Sequence, residues 1–236
     1  MKIGLTYTGN PEKHQFYVDW LKANENIEIV KLSAEDSNLE ELNSCDGLVL
    51  SGGIDIHPRF YGNAITNYTG SPEVFNEARD EFEIAAFQLA QENNLPVLGI
   101  CRGMQLINVI HNGSMLQDLD SGLKPVHIGN PDKSHDVKIK LGTVLSDIVK
   151  NETAAINSAH HQAIDKLGNN LVINAVSVDG VIEGIERAQT DGKPFLLAIQ
   201  WHPERMFRFG LENSAGSAAI RNRFIEEVKK SINENH

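Results

Sequence analysis

Residues 96–105, Pro-Val-Leu-Gly-Ile-Cys-Arg-Gly-Met-Gln, set an apolar run of strand type directly against the start of a helical pattern, with no loop between them. A chain passes from strand to helix this abruptly only over a sharp turn. Glycine stands two residues before and two after the cysteine at its apex, Cys101. This is the G-x-S-x-G nucleophile elbow with Cys in place of Ser. Side chains at the flanking positions would collide with neighbouring backbone, and the apex side chain projects outward. The positive end of the following helix, together with Arg102, favours the thiolate. The Arg102 N–H, in the first turn, has no intrahelical acceptor and is available as one arm of an oxyanion hole. A structural cysteine packed between two glycines is the competing reading, and the strand before it and helix after it weigh against that.

The strand feeding the elbow belongs to a longer alternation. Residues 2–7, 27–32, 46–50 and 96–100 read as strands, with helices expected over 11–24, 38–43 and 73–93, which is the signature of βαβ units and a parallel sheet. In the 73–93 helix the stripe Phe75, Ala78, Phe82, Ala85, Ala86 and Leu89 keeps a 3.6-residue period behind Ser71-Pro72. Over 102–112 apolar residues fall on most faces, so that helix is expected at the domain centre. Strands over 135–141, 154–158, 171–178, 181–187 and 195–200 follow in hairpin-like succession, then a helix over about 214–232. The expected fold class is therefore α/β: a mostly parallel central sheet flanked by helices, a flavodoxin-like three-layer sandwich, with an additional antiparallel β portion. No linker or repeat interrupts the 236 residues, so 1–236 reads as a single domain. Residues 51–72 lack any usable period, and loops of that length are usually functional or disordered.

Composition narrows the function classes. A net charge of −11 argues against partners that need a basic surface, so nucleic acid and anionic membrane are set aside in favour of a small molecule. Met1–Thr8 lacks the pattern of a signal peptide, and no stretch approaches the ~18 apolar residues of a membrane span. With only Cys45 and Cys101, a disulfide framework is not expected and the cytoplasm is the expected location. Cys45 reads as a small core residue.

A thiolate nucleophile needs a histidine and a group to orient it. Of the nine histidines, His202 ends the apolar run 195–201 and precedes Pro203-Glu204. Proline biases its predecessor toward extended backbone, where residues i and i+2 face one way, so Glu204 is expected beside His202. His160 and His161 are adjacent and face opposite sides, so both cannot reach one thiolate. No third ligand lies at a recognisable spacing from them, which leaves no metal site expected, and their segment reads as a wall of the pocket.

The stretches Gly-Ile-Cys-Arg-Gly-Met-Gln at 99–105 and Trp-His-Pro-Glu at 201–204 resemble the class I glutamine amidotransferase superfamily, whose triad runs Cys, His, Glu in that chain order. Within it the chain is similar to the γ-glutamyl-γ-aminobutyrate hydrolase-like (peptidase C26) family. That likeness rests on Ser51-Gly52-Gly53 through Asp55, Pro58 and Tyr61-Gly62, on Arg79-Asp80, on residues 113–119, and on Asn157-Ser158 with His160 and Gln162. The resemblance implies a Cys101, His202, Glu204 triad acting on a small γ-glutamyl amide, with neither metal nor organic cofactor. It implies that the Gly52-Gly53 loop supplies a second oxyanion donor beside Arg102. By the same resemblance Gln105 contacts the glutamyl head group, and Asn157, Ser158 and His160 border it. Many superfamily elbows carry Leu, Tyr or Phe after the cysteine. Arg102 here either forms part of the entrance or pairs with an acid such as Asp80. The rival readings are a glutaminase subunit that hands ammonia to a synthetase partner, the deglycase branch of the superfamily, and a non-catalytic binding protein. The sequence leaves oligomeric state, a homodimer included, open.

Overall fold

The computed structural model describes residues 1–23 and 25–234. The last position of the helix expected over 11–24 therefore lies outside the described residues. The chain opens with β1 (Lys2–Thr6), α1 (Pro11–Lys22), β2 (Glu28–Leu32) and β3 (Gly47–Leu50). Then come α2 (Glu77–Glu92), β4 (Val97–Ile100) and α3 (Arg102–Ile110). The second half holds β5 (Ser114–Leu116), α4 (Lys124–His127), β6 (Lys133–Ile139), α5 (Val144–Val149), β7 (Thr153–Ser158) and β8 (Ala163–Lys166). It closes with β9 (Leu171–Ser177), β10 (Ile182–Arg187), β11 (Leu196–Ile199) and α6 (Ile220–Glu234).

Among the described residues, nine strands form one sheet in the order β2-β1-β3-β4-β11-β10-β9-β6-β7. The first five are mutually parallel, in the flavodoxin-like order 2-1-3-4-5. The rest are antiparallel. The α/β architecture and the added antiparallel portion are thus both present; most of the latter continues the main sheet, and β5 and β8 form a separate two-stranded sheet. Side chains alternate across the parallel strands. Ile3, Leu5, Val49, Leu98, Ile100, Leu197 and Ile199 meet Tyr17, Trp20 and Leu21 of α1 and Phe224 and Val228 of α6 on one face. Leu48, Leu50, Val97 and Ala198 meet Ala86 and Phe87 of α2 and Met104 and Ile107 of α3 on the other. Both faces are covered, which gives the three layers and explains why these strands read as continuous apolar runs. As expected for the domain centre, α3 is buried from Arg102 through Val109. Among the described residues no helix is long and apolar enough to cross a membrane.

Several elements differ from expectation. The helix expected from 73 begins at Glu77, because Asn76 caps it by accepting the Arg79 N–H at 3.0 Å. Its buried face is also rotated: Arg79, Asp80, Glu83, Ala86, Phe87 and Ala90 point inward, while Ala78 is exposed. Charged residues occupy the inner face because they neutralise one another there. The expected helix over 38–43 is a 3₁₀ turn, Leu39–Ser44. The C-terminal helix opens with a π-helical turn, Ala215–Ala219. Strands β5 and β8, which pair only with each other, are too short to show a period. Helix α5 is equally short and is set by the capping box of Thr143 and Ser146. In the loop over 51–72 one 3₁₀ turn forms, Pro58–Tyr61. The remainder is pinned by side chains: Tyr68 Oη donates to Asp55 at 2.8 Å, Gln117 Nε2 to the Ile65 carbonyl at 2.7 Å and Gln162 Nε2 to Tyr68 Oη at 3.1 Å.

The inward charges of α2 form a closed set with α3. Arg102, 1% exposed, donates to both Asp80 and Glu83, and Arg79 Nε donates to Glu83 at 2.8 Å. Arg79 also donates to Ser51 Oγ at 3.2 Å, the Gly52 carbonyl at 2.9 Å and the Thr8 carbonyl at 3.2 Å. Two cations and two carboxylates thereby tie the loop after β3, helix α2 and helix α3 together. Of the two roles open to Arg102, pairing with an acid is the one the fold adopts. Replacing Arg102 by Met leaves two buried carboxylates short of a counter-charge. Chemical denaturation of Arg102→Met should show a loss of ~3–5 kcal/mol. A loss below ~1 kcal/mol would mean that the network relaxes around the missing cation.

Candidate active site

The elbow has the form its sequence requires. Cys101 sits at φ 53° and ψ −107°, a backbone conformation that non-glycine residues rarely adopt and that costs about 1–3 kcal/mol. Hydrogen bonds on both sides hold it: its N–H donates to the Ile199 carbonyl at 2.8 Å and its own carbonyl accepts from Gln105 N–H at 3.2 Å. A Cβ on Gly103 would lie 2.2 Å from the Leu50 carbonyl oxygen, so helix α3 can approach β3 only with glycine there.

Three chain segments meet at the Cys101 side chain. From the end of β11, His202 Nδ1 lies 2.8 Å from Glu204 Oε1, and both residues are buried. Glu204 reaches its partner by a route different from the one expected. Pro203 starts a 3₁₀ turn, Pro203–Phe209, so the pairing comes from that turn and not from strand alternation. The segment is clamped from outside: Trp201 Nε1 donates to the Gly216 carbonyl at 2.8 Å, and Ser217 Oγ donates to the Pro203 carbonyl at 2.8 Å. The π-helical turn supplies both partners.

Burial and the nearby Arg205 charge act against protonation of His202. Glu204 and the Cys101 sulfur outweigh them, and the imidazole pKa rises from 6.5 to about 9. Burial alone would raise the Glu204 pKa, but His202 holds that carboxyl below its ordinary range. The pair is therefore imidazolium and carboxylate at neutral pH. Cys45 contrasts with this environment: burial, then Asp46, pushes its thiol up to about 11. Neither cysteine is in a disulfide.

From the end of β3 comes the Gly52-Gly53 loop. A Cβ on Gly52 would lie 2.9 Å from His202 Cε1 and 2.9 Å from Tyr17 Oη, so glycine is what lets the loop pass the imidazole. The Gly52 N–H donates to Tyr17 Oη at 2.9 Å. This corrects the expectation for Gly52: its N–H already has an acceptor, and Gly53 is the member of the pair left to offer one. Tyr17 Oη also lies 3.4 Å from His202 Nδ1, so a single phenol supports both the loop and the histidine.

Other residues expected at the site stand one layer back. Gln105 Nε2 donates to Gln200 Oε1 at 3.2 Å, and it is Gln200 whose amide reaches Cys101 Sγ at 3.4 Å. Asn157 accepts the His202 N–H at 3.1 Å and donates to Asp132 at 3.1 Å. Ser158 Oγ donates to the His127 carbonyl at 2.9 Å. His160 turns into the interior, with Nδ1 at 2.8 Å from the Gln162 carbonyl. Between these, Ala159 reaches the surface of the cleft. His161 faces the other way, toward Asp55 at 3.1 Å and Asp118 at 3.3 Å. The expectation that no third ligand accompanies His160 does not survive folding, because α4 and β10 bring His127 and Glu183 to it.

A cleft of about 440 Å³ opens over Cys101, His202 and Glu204. Thr8, Asn10, Lys13, Ile54, Asn76 and Arg205 form much of its remaining wall. Sequence reasoning missed Tyr17 and Gln200. Tyr17 gave no signal, being one aromatic in a helix that already has an apolar face. Gln200 was readable as a polar side chain at the end of a fully buried strand.

Comparison with known proteins agrees with this geometry. Residues 15–204 match the family model for Peptidase C26. A glutamine amidotransferase-like protein of Rickettsia prowazekii is 31% identical, with 87% of this chain and 86% of that protein aligned. The γ-glutamyl-γ-aminobutyrate hydrolase of Escherichia coli K12 is 30% identical over 72% of this chain and 69% of its own. Among solved structures, the glutaminase domain of a Trypanosoma brucei CTPS superposes with a TM-score of 0.66 at 17% identity, covering 98% of this chain and 94% of that one, a likeness of fold. The elbow, the paired His202 and Glu204, and the match across most of its length place the chain in the peptidase C26 family, hydrolases of the class I glutamine amidotransferase type.

Proposed function

We propose that the protein hydrolyses γ-glutamyl amides to glutamate and an amine through a thioester on Cys101. The observation that carries this reading is the buried His202–Glu204 contact, 2.8 Å long, set beside a cysteine on a strained elbow at the floor of an open cleft. The related γ-glutamyl-γ-aminobutyrate hydrolase of E. coli supports the substrate class. The cleft wall carries Lys13 and Arg205 together with Glu35 and Glu204, charges of both signs that suit the ammonium and carboxylate of a glutamyl head group.

In the first half-reaction the Cys101 thiolate attacks the γ-carbonyl carbon, and the carbonyl π electrons move onto oxygen. The Arg102 and Gly53 N–H groups receive that oxyanion, each such donor contributing ~10²–10³-fold in rate. His202, as imidazolium, gives its proton to the departing nitrogen when the C–N bond breaks. In the second half-reaction neutral His202 takes a proton from water, the hydroxide adds to the thioester, and sulfur leaves as thiolate. Glu204 keeps the Nδ1–H directed toward itself and stabilises the imidazolium. Gln200 donates to the sulfur and orients it.

A panel of γ-glutamyl amides incubated with wild type and Cys101→Ala, with glutamate and ammonia measured separately, tests the reading. Glutamate release should fall by ~10⁴-fold or more in the variant. Turnover that persists in Cys101→Ala would overturn the mechanism. Wild type that releases no glutamate from any member would favour a binding protein, and release confined to glutamine, with ammonia, would favour a glutaminase.

The acylation step also carries a pH signature. His202 must be protonated to serve as the acid, and its raised pKa means that this form persists up to about pH 9. The kcat/KM profile should therefore fall as pH rises through about 9. In Glu204→Gln, which removes the carboxylate, the fall should move toward 6.5. A limb unmoved by that substitution would assign it to another group. Tyr17→Phe keeps the ring but leaves the Gly52 N–H without its acceptor. The cost of such an orphaned donor is ~1–3 kcal/mol, expected here as a ~10–100-fold drop in kcat/KM measured on a panel member that wild type turns over.

A further inference from the structure

Behind the cleft, in the antiparallel half of the sheet, three imidazoles converge on one buried carboxylate. Glu183 Oε1 on β10 lies 3.2 Å from His127 Nδ1, 3.4 Å from His160 Nε2 and 3.6 Å from His135 Nε2. His127 and Glu183 are fully buried and His160 is 4% exposed. The facing atoms, His127 Nδ1, His135 Nε2, His160 Nε2 and both Glu183 carboxylate oxygens, have no hydrogen-bond partner. Orphaned buried polar atoms are costly one at a time, and five in one place call for an explanation.

The outward nitrogens supply it. His127 Nε2 lies 3.0 Å from Asp179 Oδ2, His160 Nδ1 2.8 Å from the Gln162 carbonyl and His135 Nδ1 3.2 Å from the Asp136 carbonyl. Each of these acceptors requires the hydrogen of its ring to be on the outward nitrogen. The inward nitrogens of neutral rings then present lone pairs to a carboxylate, an arrangement that repels itself unless a cation stands between them. An imidazole with one nitrogen on a carboxylate or carbonyl and the other free is also how protein metal ligands are oriented.

The spacings agree. Donor atoms around a tetrahedral ion with bonds of about 2.0–2.1 Å are about 3.3–3.4 Å apart. Charge-assisted N–H···O bonds, in contrast, run to about 2.7–2.9 Å. The separations of 3.2 Å for His127 and 3.4 Å for His160 match the first geometry, and the donor atoms of His127, His160 and Glu183 lie within 4.8 Å of one another. Imidazoles with a single carboxylate suit a borderline-soft ion rather than calcium or magnesium, which prefer oxygen. We propose that His127, His160 and Glu183 bind a divalent transition-metal ion of the zinc class, with the His135 ring facing Glu183 beside them. Glu183 and Asp179 together balance its charge.

All three ligands are buried and none of them lines the cleft, so the ion is structural. It joins the end of α4, the segment after β7 and strand β10. Those segments back the cleft: Ala159, beside His160, lines it, and the Glu183 carbonyl accepts the Gln200 N–H at 2.8 Å. The ion therefore fixes the wall opposite the Gly52-Gly53 loop without taking part in the chemistry.

The test is a metal titration of the full chain after chelation and transfer to metal-free buffer. Zinc is added against a chromophoric competitor, and cobalt(II) serves as a spectroscopic probe. The expected result is one equivalent of zinc, with the cobalt form showing visible absorption that free cobalt(II) in the same buffer lacks. Asp179→Asn, at the rim, and His135→Gln, beside Glu183, should each weaken zinc binding ~10–100-fold. Neither residue belongs to the catalytic machinery, and both sit where substitution leaves the core intact. Absence of tight zinc binding, or binding that neither variant weakens, would overturn the proposal. In the first case, nitrogen chemical shifts showing doubly protonated rings would identify the cluster as an imidazolium–carboxylate network.

Discussion

Arg102 and Arg79 against Asp80 and Glu83 form the one interaction on which the rest of the site depends. Buried ion pairs contribute little net stability, because desolvation offsets the Coulomb attraction. What this set supplies is position. Arg79 fills the space where any Gly53 side chain would be, since a Cβ there would lie 2.1 Å from its Nη1, and it donates to the carbonyl of Gly52. Arg102 belongs to the first turn of α3, so the same charges that hold the loop also hold the helix whose N–H groups face the cleft. The Arg102 and Gly53 N–H groups, proposed as the oxyanion donors, are thereby referenced to a single buried cluster.

That dependence explains which parts of the protein were legible in its sequence. The parallel half was, because strands buried on both faces leave continuous apolar runs and the elbow needs two glycines at fixed offsets. His202 and Glu204 were legible as a pair, although the backbone that joins them is a 3₁₀ turn and not the extended segment that proline suggested. The face of α2 was not. An apolar stripe through Ala78 and Phe82 is a fair reading when charges are assumed to seek water, and it fails because Arg79, Asp80 and Glu83 find their partners on α3 instead. Long-range complementarity of that kind leaves no local period. The same holds for Tyr17, whose hydroxyl is the only part of it that the site uses.

The sheet changes character where the chemistry happens. Cys101 directly follows β4 and His202 lies just beyond β11, and these are adjacent parallel strands, so both residues lie at the same, C-terminal end of them. This is the usual position for a site in an open α/β sheet. β11 is also the last parallel strand, and its other neighbour, β10, runs antiparallel. The Gln200 N–H crosses to β10 at Glu183 while its side chain touches Cys101 Sγ. One residue thus couples the catalytic edge to the antiparallel half.

The adjacent histidines show why spacing alone misleads in that half. His160 and His161 do face opposite sides, although they follow β7 and do not lie on a strand. The inference that neither could join a cluster assumed that partners would be near in sequence. Folding brings residues distant in the chain to this cluster: His127 from the end of α4, His135 from β6 and Glu183 from β10. His161 meets Asp55 and Asp118, from the long loop and from the segment after β5, by the same logic. The segment 157–161 is thus held at every position: Asn157 by His202, Ser158 and His160 from the interior, His161 from the loop. Only Ala159 is left to face the cleft. A small apolar side chain there adds no polar group to the wall, and its position is fixed by the polar residues on either side of it.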